Sequence, residues 1–277
     1  MGRREWACCG PAGGGAASMT ELPGSLILER SGDAAVLTLN RPEKRNALDD
    51  DTIVAIGGFF ARPPSWARAV VLAAVGPHFS AGLDLGELTD RDAVDGFFHS
   101  QMWHDAFARI ESGALPVIAV LKGAVVGGGL ELAAAAHLRV AEESAFFALP
   151  EGQRGLFVGG GASVRVPRLV GAHRMTDMML TGRVLDADEG AATGLVHYRV
   201  ANGSGLTKAL DLAASIARNS PITNYAVIHA LPRIAQAAPE TGLLLESLMA
   251  AVAQSSREAK DRMDAFLNGH GPKVGDE

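Results

Sequence analysis

Apolar residues gather into short runs separated by polar turns, and their spacing outlines the fold. Leu26-Ile27-Leu28-Glu29-Arg30 and Ala35-Val36-Leu37-Thr38-Leu39 flank Ser31-Gly32-Asp33, the pattern of two strands joined in a hairpin. Asn40 through Asn46 is a polar loop, and a helix is predicted from Asp49 or Asp50, either a suitable cap, through Phe60. Ala69 through Val75 is apolar throughout, as strands covered on both faces are. A glycine loop at Ala81-Gly82-Leu83-Asp84 follows, then a helix over residues 92–112 and a strand over 117–125, broken only by Lys122-Gly123. Leu138-Arg139-Val140-Ala141 and Ala145 through Leu149 are expected to continue the sheet. From residue 160 the pattern turns helical, over 160–181, 186–193, 207–218, 220–236 and 240–268, with Leu195 through Val200 as one late strand. Alternating strands and helices followed by a helical last third predict an α/β core without a fixed-period repeat.

Within that pattern Gly127-Gly128-Gly129 carries the most chemistry. Three adjacent glycines are poor helix formers, so their presence points to something that passes close to bare backbone. They open the segment Leu130-Glu131-Leu132-Ala133, whose unpaired first-turn N–H groups and positive dipole end suit a developing negative charge. Strand, glycine turn and helix start together predict an oxyanion site with one carboxylate, Glu131, beside it.

Composition changes this picture only at the edges. A 48% hydrophobic and 20% charged chain of 277 residues suits a globular protein with a sizeable core. Net charge of −6 argues against a dedicated nucleic-acid surface. The longest apolar stretch, from Leu115, is interrupted by Lys122 and Glu131, so no membrane span is expected. Residues 1–24 lack the apolar core of a signal peptide and are expected to form a tail, with Met19 an alternative translation start. The two cysteines, Cys8 and Cys9, both fall in that tail, where neighbours suit neither an ordinary disulfide nor a metal site. A body without cysteine fits a cytoplasmic protein. The expected organisation is a tail over 1–24, a core over 25–205, a C-terminal helical region over 206–268 and a second tail over 269–277.

Several segments taken in order resemble the crotonase (enoyl-CoA hydratase/isomerase) superfamily. They are Leu39-Asn40-Arg41-Pro42 with Asn46-Ala47-Leu48, then Phe79-Ser80-Ala81-Gly82-Leu83-Asp84-Leu85, then the glycine triplet with Glu131. Phe147-Ala148-Leu149-Pro150-Glu151, Leu180-Thr181-Gly182-Arg183 and Ala187 through Val196 complete the set, so the resemblance spans about residues 25–268. It implies an α/β, crotonase-like spiral of ββα units with a helical C-terminal trimerisation region, assembled as a homotrimer or homohexamer. It also implies an acyl-CoA thioester as substrate, with no metal and no cofactor beyond the coenzyme A of the substrate, and neither nucleic acid nor membrane as partner. Family positions place the oxyanion donors at the Leu83 and Gly128 N–H groups. They place CoA contacts at Arg41, Lys44, Arg45, Ala81, Gly82 and Asp84.

The same resemblance makes Glu131 and Glu151 the catalytic pair of a hydratase. Hydration needs oxygen at Cβ and a proton at Cα, and like charges in a dry site push two carboxyl pKa values apart so that each does one task. Glu131 is expected to act as base toward water and Glu151 as proton donor, the pair titrating as a unit. An enoyl-CoA isomerase, a thioester hydrolase, a ring-opening enzyme and a non-catalytic CoA-binding protein remain alternatives. Other residues have plainer readings. Asp84 suits a cap, His99 and His104 suit packing on a helix, and Gly159-Gly160-Gly161 suits a tight turn without the Lys-Ser/Thr of a P-loop. One departure stands out: the run Glu151-Gly152-Gln153-Arg154-Gly155-Leu156-Phe157-Val158-Gly159 lacks the proline that hydratases often carry in the loop before the next glycines. Arg154 is left to face solvent, pair with an acid or enter the pocket, which puts ordinary fatty-acid β-oxidation in doubt more than hydration.

Overall fold

The computed structural model describes residues 22–87 and 92–270. Cys8, Cys9, Met19 and most of the expected N-terminal tail lie outside the described residues, as do residues 271–277. Two strands, β1 (Leu26–Ser31) and β2 (Ala34–Leu39), form the expected hairpin, with Leu26 opposite Leu39. From β2 onward the chain winds as a spiral whose turns repeat one plan. Each turn lays a strand into a large parallel sheet, steps sideways into a smaller sheet, and returns through a helix. The large sheet runs in the order β1, β2, β3 (Ala69–Ala74), β4 (Val117–Leu121), β6 (Leu138–Glu142) and β9 (Tyr198–Val200). The small one joins β5 (Ala124–Val126), β7 (Phe146–Ala148) and β8 (Leu185–Asp186).

Bridges at Leu48 with Leu83, and at Ser80 with Val125, extend the small sheet across the earlier turns. The pairs are held by Leu48 N–H to Gly82 O at 2.8 Å, Asp84 N–H to Leu48 O at 2.8 Å and Val126 N–H to Ser80 O at 3.0 Å. This explains two departures from the sequence reading. The strand expected over 117–125 is two strands in different sheets, because Gly123 turns the chain with φ +50° where a Cβ would collide with Pro77 O. The segment around Phe147 continues the small sheet, not the large one, because it pairs in parallel with β5.

Helices return the chain between strands. Asp49 accepts from Thr52 N–H to cap α1 (Asp50–Ala61), and Asp92 accepts from Val94 and Asp95 N–H to cap α2 (Ala93–Glu111). Gly127 precedes α3 (Gly128–Ala135), and Gly161 precedes α4 (Ala162–Val170). The helix expected over 160–181 is two, because Gly171 at φ +83° divides α4 from α5 (Ala172–Thr181). After α6 (Ala187–Ala192) and β9, helix α7 (Gly205–Ala217) lays Ala209 and Ala213 against Val71, Ile118 and Val140 on the back of the large sheet. The remaining helices are α8 (Pro221–Tyr225), α9 (Leu231–Gln236), α10 (Pro239–Ser255) and α11 (Arg257–Leu267). A π-helical segment over residues 226–230 separates α8 from α9, and Ser256 caps α11, which divides the helix expected over 240–268. The main core lies between the sheets and helices α1 to α5, around Phe79, Phe107, Phe147 and Leu72. No helix of the described residues is long and apolar enough to cross a membrane.

Two histidines tie the large sheet to its return segments. His137 Nδ1 accepts from Val117 N–H at 3.0 Å while Nε2 faces Glu111 O at 3.2 Å, and His197 Nδ1 accepts from Arg139 N–H at 3.2 Å. Burial holds each imidazole at about 4, below the usual histidine range, with the Arg139 charge adding to the effect at His197. The unfolded chain therefore binds more protons between pH 4 and the ordinary histidine value, so this contribution is complete above that value and is lost as pH falls toward 4. We expect the melting temperature to drop over that window. His137→Gln, whose amide keeps both hydrogen bonds without titrating, is expected to flatten the drop, and an unchanged slope in this variant would remove His137 from the account.

Candidate active site

The spiral brings two sideways steps against each other. Gly82, at φ +90°, sits where a Cβ would lie 2.7 Å from Val126 O and 3.0 Å from Gly128 N. A Cβ on Gly128 would lie 3.3 Å from Leu83 N and 2.8 Å from the Trp103 ring. The backbones thus meet at a distance only glycine permits. Among the described residues, neither the Leu83 nor the Gly128 N–H donates to another group, although Gly82 N–H donates to Ser80 Oγ, Asp84 N–H to Leu48 O and Gly127 N–H to Ala148 O. Both donors face a cavity of about 480 Å³ lined by Gly82, Leu83, Gly128, Glu131, Glu151 and Trp103, among others. The sequence reading placed the oxyanion donors at these two positions, and the fold sets them side by side.

Glu131 lies in the first turn of α3 with 4% of its surface exposed. Its Oε1 accepts from Gly160 N–H at 2.8 Å and Ala162 N–H at 3.0 Å, the latter in the first turn of α4. A helix N-terminus and a glycine peptide therefore hold the carboxylate from one side. Burial raises its pKa above the ordinary glutamate value, opposed by those peptide donors and by the Arg165 charge. Arg165 braces the arrangement, donating to Gly160 O at 3.0 Å and pairing with Glu111 at 2.8 Å. Neither the clamp on Glu131 nor the Arg165 brace was foreseen from the sequence. The glycines at 159–161 suit a tight turn at a helix start near the substrate, and Gly161 at φ +102° does open α4, but their grip on a carboxylate has no signal in the sequence.

Glu151 enters from the opposite wall, at the first position of the 3₁₀ turn Glu151–Arg154 after β7. A Cβ on Gly127 would lie 2.8 Å from Glu151 Oε1, so the glutamate reaches the glycine triplet itself. Its Oε2 is buried and makes no hydrogen bond among the described residues. Burial raises this carboxyl above its ordinary pKa, and the charge on Glu131 raises it further. Two carboxyls that each resist ionisation, and resist it jointly, suit one base and one acid at neutral pH.

The loop carrying the predicted CoA contacts is internally braced. Arg41 pairs with Asp84 and Asp49, each at 2.8 Å, and donates to Ala47 O at 2.9 Å. Lys44 shares Asp84 at 2.9 Å, and these two cations hold the Asp84 carboxyl down at about 2. Asp84 Oδ1 accepts from Gly86 N–H, giving the capping role read from its position. Arg45, in the left-handed region at φ +52°, is exposed, and its carbonyl accepts from Ala81 N–H. Buried Asn46 fixes the loop from beneath by donating to Val75 O and His78 O, each at 2.9 Å. His99 lines the cavity with Nε2 on Asp50 at 2.7 Å, whereas His104 turns to Ser100. Among the described residues no group of three or more His, Cys, Asp or Glu side chains is placed to hold a metal ion.

Comparison with known proteins agrees with this geometry. The enoyl-CoA hydratase/isomerase family model matches residues 29–276, and the chain belongs to that family. A short-chain-enoyl-CoA hydratase of Clostridium acetobutylicum is 32% identical over 246 residues, covering 88% of this chain and 94% of the relative. The 2,3-dehydroadipyl-CoA hydratase of Escherichia coli K12 is 31% identical over 89% of this chain and 97% of its own length. A solved candidate enoyl-CoA hydratase from Rhodopseudomonas palustris CGA009 superposes with a TM-score of 0.88 at 56% identity, covering 92% of this chain and 98% of that one. The fold is the crotonase spiral with its C-terminal helices.

The close backbone contact yields a test that leaves both carboxylates in place. Gly82→Ala puts a methyl against Val126 O and Gly128 N in a left-handed conformation, forcing the two steps apart. Removing one donor from an oxyanion site typically costs about 10²–10³ in turnover. A loss of that size in kcat, with the fold retained by circular dichroism, is the expected result. Turnover within a few-fold of the parent would show that the two N–H groups do not act together.

Proposed function

We propose that the protein is an enoyl-CoA hydratase that adds water across the 2,3 double bond of a 2-enoyl-CoA thioester. The observation that carries this reading is the pair of buried glutamates on one cavity, faced by two uncommitted peptide N–H groups. The thioester carbonyl takes the Leu83 and Gly128 N–H groups, which polarise it and stabilise the enolate charge as it develops. Glu131, whose Oε1 accepts from the Gly160 and Ala162 N–H groups, takes a proton from water as the water oxygen bonds to Cβ. The π electrons move through Cα onto the thioester oxygen, then return as Cα takes a proton from Glu151. One O–H and one π bond are lost and one C–O and one C–H bond are made. Glu131 finishes protonated and Glu151 ionised, and exchange with solvent resets the pair.

An isomerase needs only one base, and retention of both glutamates favours hydration. Lys44 and Arg45 are the exposed cations nearest the CoA side of the site, with Arg41 and Asp84 bracing the loop that presents Ala81 and Gly82. The absence of cysteine from the body of the chain supports action in the cytoplasm.

Glu131→Gln and Glu151→Gln test the mechanism. The amides keep size and acceptor oxygen but do not exchange the proton, and general acid–base catalysis is typically worth about 10²–10⁴-fold. Hydration, followed by loss of the conjugated thioester absorbance, is expected to fall by that factor in each variant while CoA binding persists. Because burial penalises the charged form of both groups, each variant is also expected to melt at or above the parent temperature. Near-parental turnover in either variant would remove that glutamate from the mechanism, and loss in Glu151→Gln alone would favour the isomerase.

We also propose assembly as a homotrimer or homohexamer through the C-terminal helices. Along α10 the side chains of Leu243, Leu244, Leu248 and Val252 stand exposed on the single chain, as do Met263, Phe266 and Leu267 on α11. Apolar surface of this extent on two consecutive helices supports burial against another subunit. Light scattering is expected to give a trimer or a multiple of it, and Leu244→Glu with Leu248→Glu to lower both the mass and the melting temperature. An active monomer at micromolar concentration would refute the assembly.

A further inference from the structure

The cavity wall holds a cationic group that the hydration mechanism leaves unused, the guanidinium of Arg154. This side chain lines the cavity and is exposed, yet it makes no hydrogen bond or ion pair with any of the described residues. Its backbone is firmly placed. Leu156 N–H donates to Glu151 O at 2.9 Å, and Gly155 closes the 3₁₀ turn in the left-handed region at φ +69°. Residues three apart in a 3₁₀ turn eclipse each other, so Glu151 and Arg154 leave the backbone on the same side, about 6 Å apart along the axis. They nonetheless do not pair, and Glu151 Oε2 stays buried without a partner. The Arg154 charge opposes the raised pKa of Glu151 only as a minor effect behind burial, and the guanidinium is available to a third group.

That group is an anion, because a guanidinium offers only donors. Its position favours the acyl part of the substrate over the nucleotide. Arg154 stands on the wall that carries Glu151, toward which the Cα–Cβ bond must turn, whereas Lys44 and Arg45 stand on the loop before Leu48, which pairs with Leu83. A second buried donor nearby, the Nε1–H of the cavity-lining Trp103, has no acceptor among the described residues. The other polar side chains of that wall are committed, Ser100 to Gly159 O at 2.6 Å and His99 to Asp50 at 2.7 Å. Resting on the hydratase reading, we infer that the acyl group carries a second carboxylate at its far end and that Arg154 receives it.

The test uses binding, so that it does not depend on turnover. Saturated CoA monothioesters of α,ω-dicarboxylic acids of about four to eight carbons are titrated calorimetrically against their monocarboxylic counterparts, using the full chain. A charge-assisted pair at this position is expected to favour the dicarboxylic series by roughly 10- to 100-fold at the best-fitting length. Arg154→Gln is expected to erase that preference while leaving the monocarboxylic series within about three-fold, and Arg154→Lys to restore part of it. Three results would overturn the proposal: equal affinity of the parent for both series, a preference that survives in Arg154→Gln, or equal weakening of both series. In the last case free CoA would bind more weakly too, placing Arg154 on a phosphate. Preferential binding without hydration of the matching enoyl thioester would sink the hydratase reading and leave the carboxylate site standing.

Discussion

The site depends on one close approach, between the peptide at Gly82-Leu83 and the peptide at Gly127-Gly128. Every larger feature serves it. Successive turns of the spiral step sideways in register, so Ser80 bridges Val125 and Leu83 bridges Leu48, and the remaining N–H groups of Leu83 and Gly128 are left pointing at one space. No residue with a side chain fits at Gly82 or Gly128, because a Cβ there meets backbone oxygen, backbone nitrogen or the Trp103 ring. The donors are therefore fixed before substrate arrives, and fixed dipoles in a dry site stabilise a developing charge without reorganising.

Electrostatics around that point are asymmetric by construction. Glu131 is desolvated but compensated by two peptide donors and the start of α4, whereas Glu151 is desolvated, faces Glu131 and keeps one oxygen unpaired. Burial raises both carboxyls, but only Glu131 has peptide donors opposing that rise, an asymmetry that fits the proposed division of base from acid between two identical side chains. The cost is borne by the surrounding fold, with Arg165 bracing Gly160 and Asn46 holding the neighbouring loop. The cavity is enclosed on one side by α2, where Trp103 packs edge-on to Phe107.

Much of this was legible in the sequence, and the parts that were not have a common cause. Apolar runs with turn residues between them located nearly every strand and helix, because burial on both faces leaves an unbroken signature in β3 and β4. The glycine triplet and Glu131 announced the oxyanion site through local chemistry alone. Leu83 and Glu151, with the roles proposed for them, entered only through the family resemblance that the ordered motifs carry. What the sequence did not reveal was partition between sheets: Gly123 looked like a break within one strand, and only pairing with Phe147 shows that the chain changes layer there. The grip of Gly160 and Ala162 on Glu131 was equally hidden, since it joins residues about thirty positions apart through backbone atoms that carry no residue-specific signal. Arg41 gave a basic-loop signal, but its partners Asp49 and Asp84 turn most of that charge inward.

The central claim is that the paired glutamates deliver water to Cβ of a thioester held by Leu83 and Gly128. It is tested most directly by incubating the protein with a 2-enoyl-CoA in oxygen-18 water and analysing the product by mass spectrometry. The account predicts a 3-hydroxyacyl-CoA carrying one heavy oxygen on the acyl chain, with the thioester intact. A product of unchanged mass with a shifted double bond, or free CoA with heavy oxygen in a released acid, would contradict it.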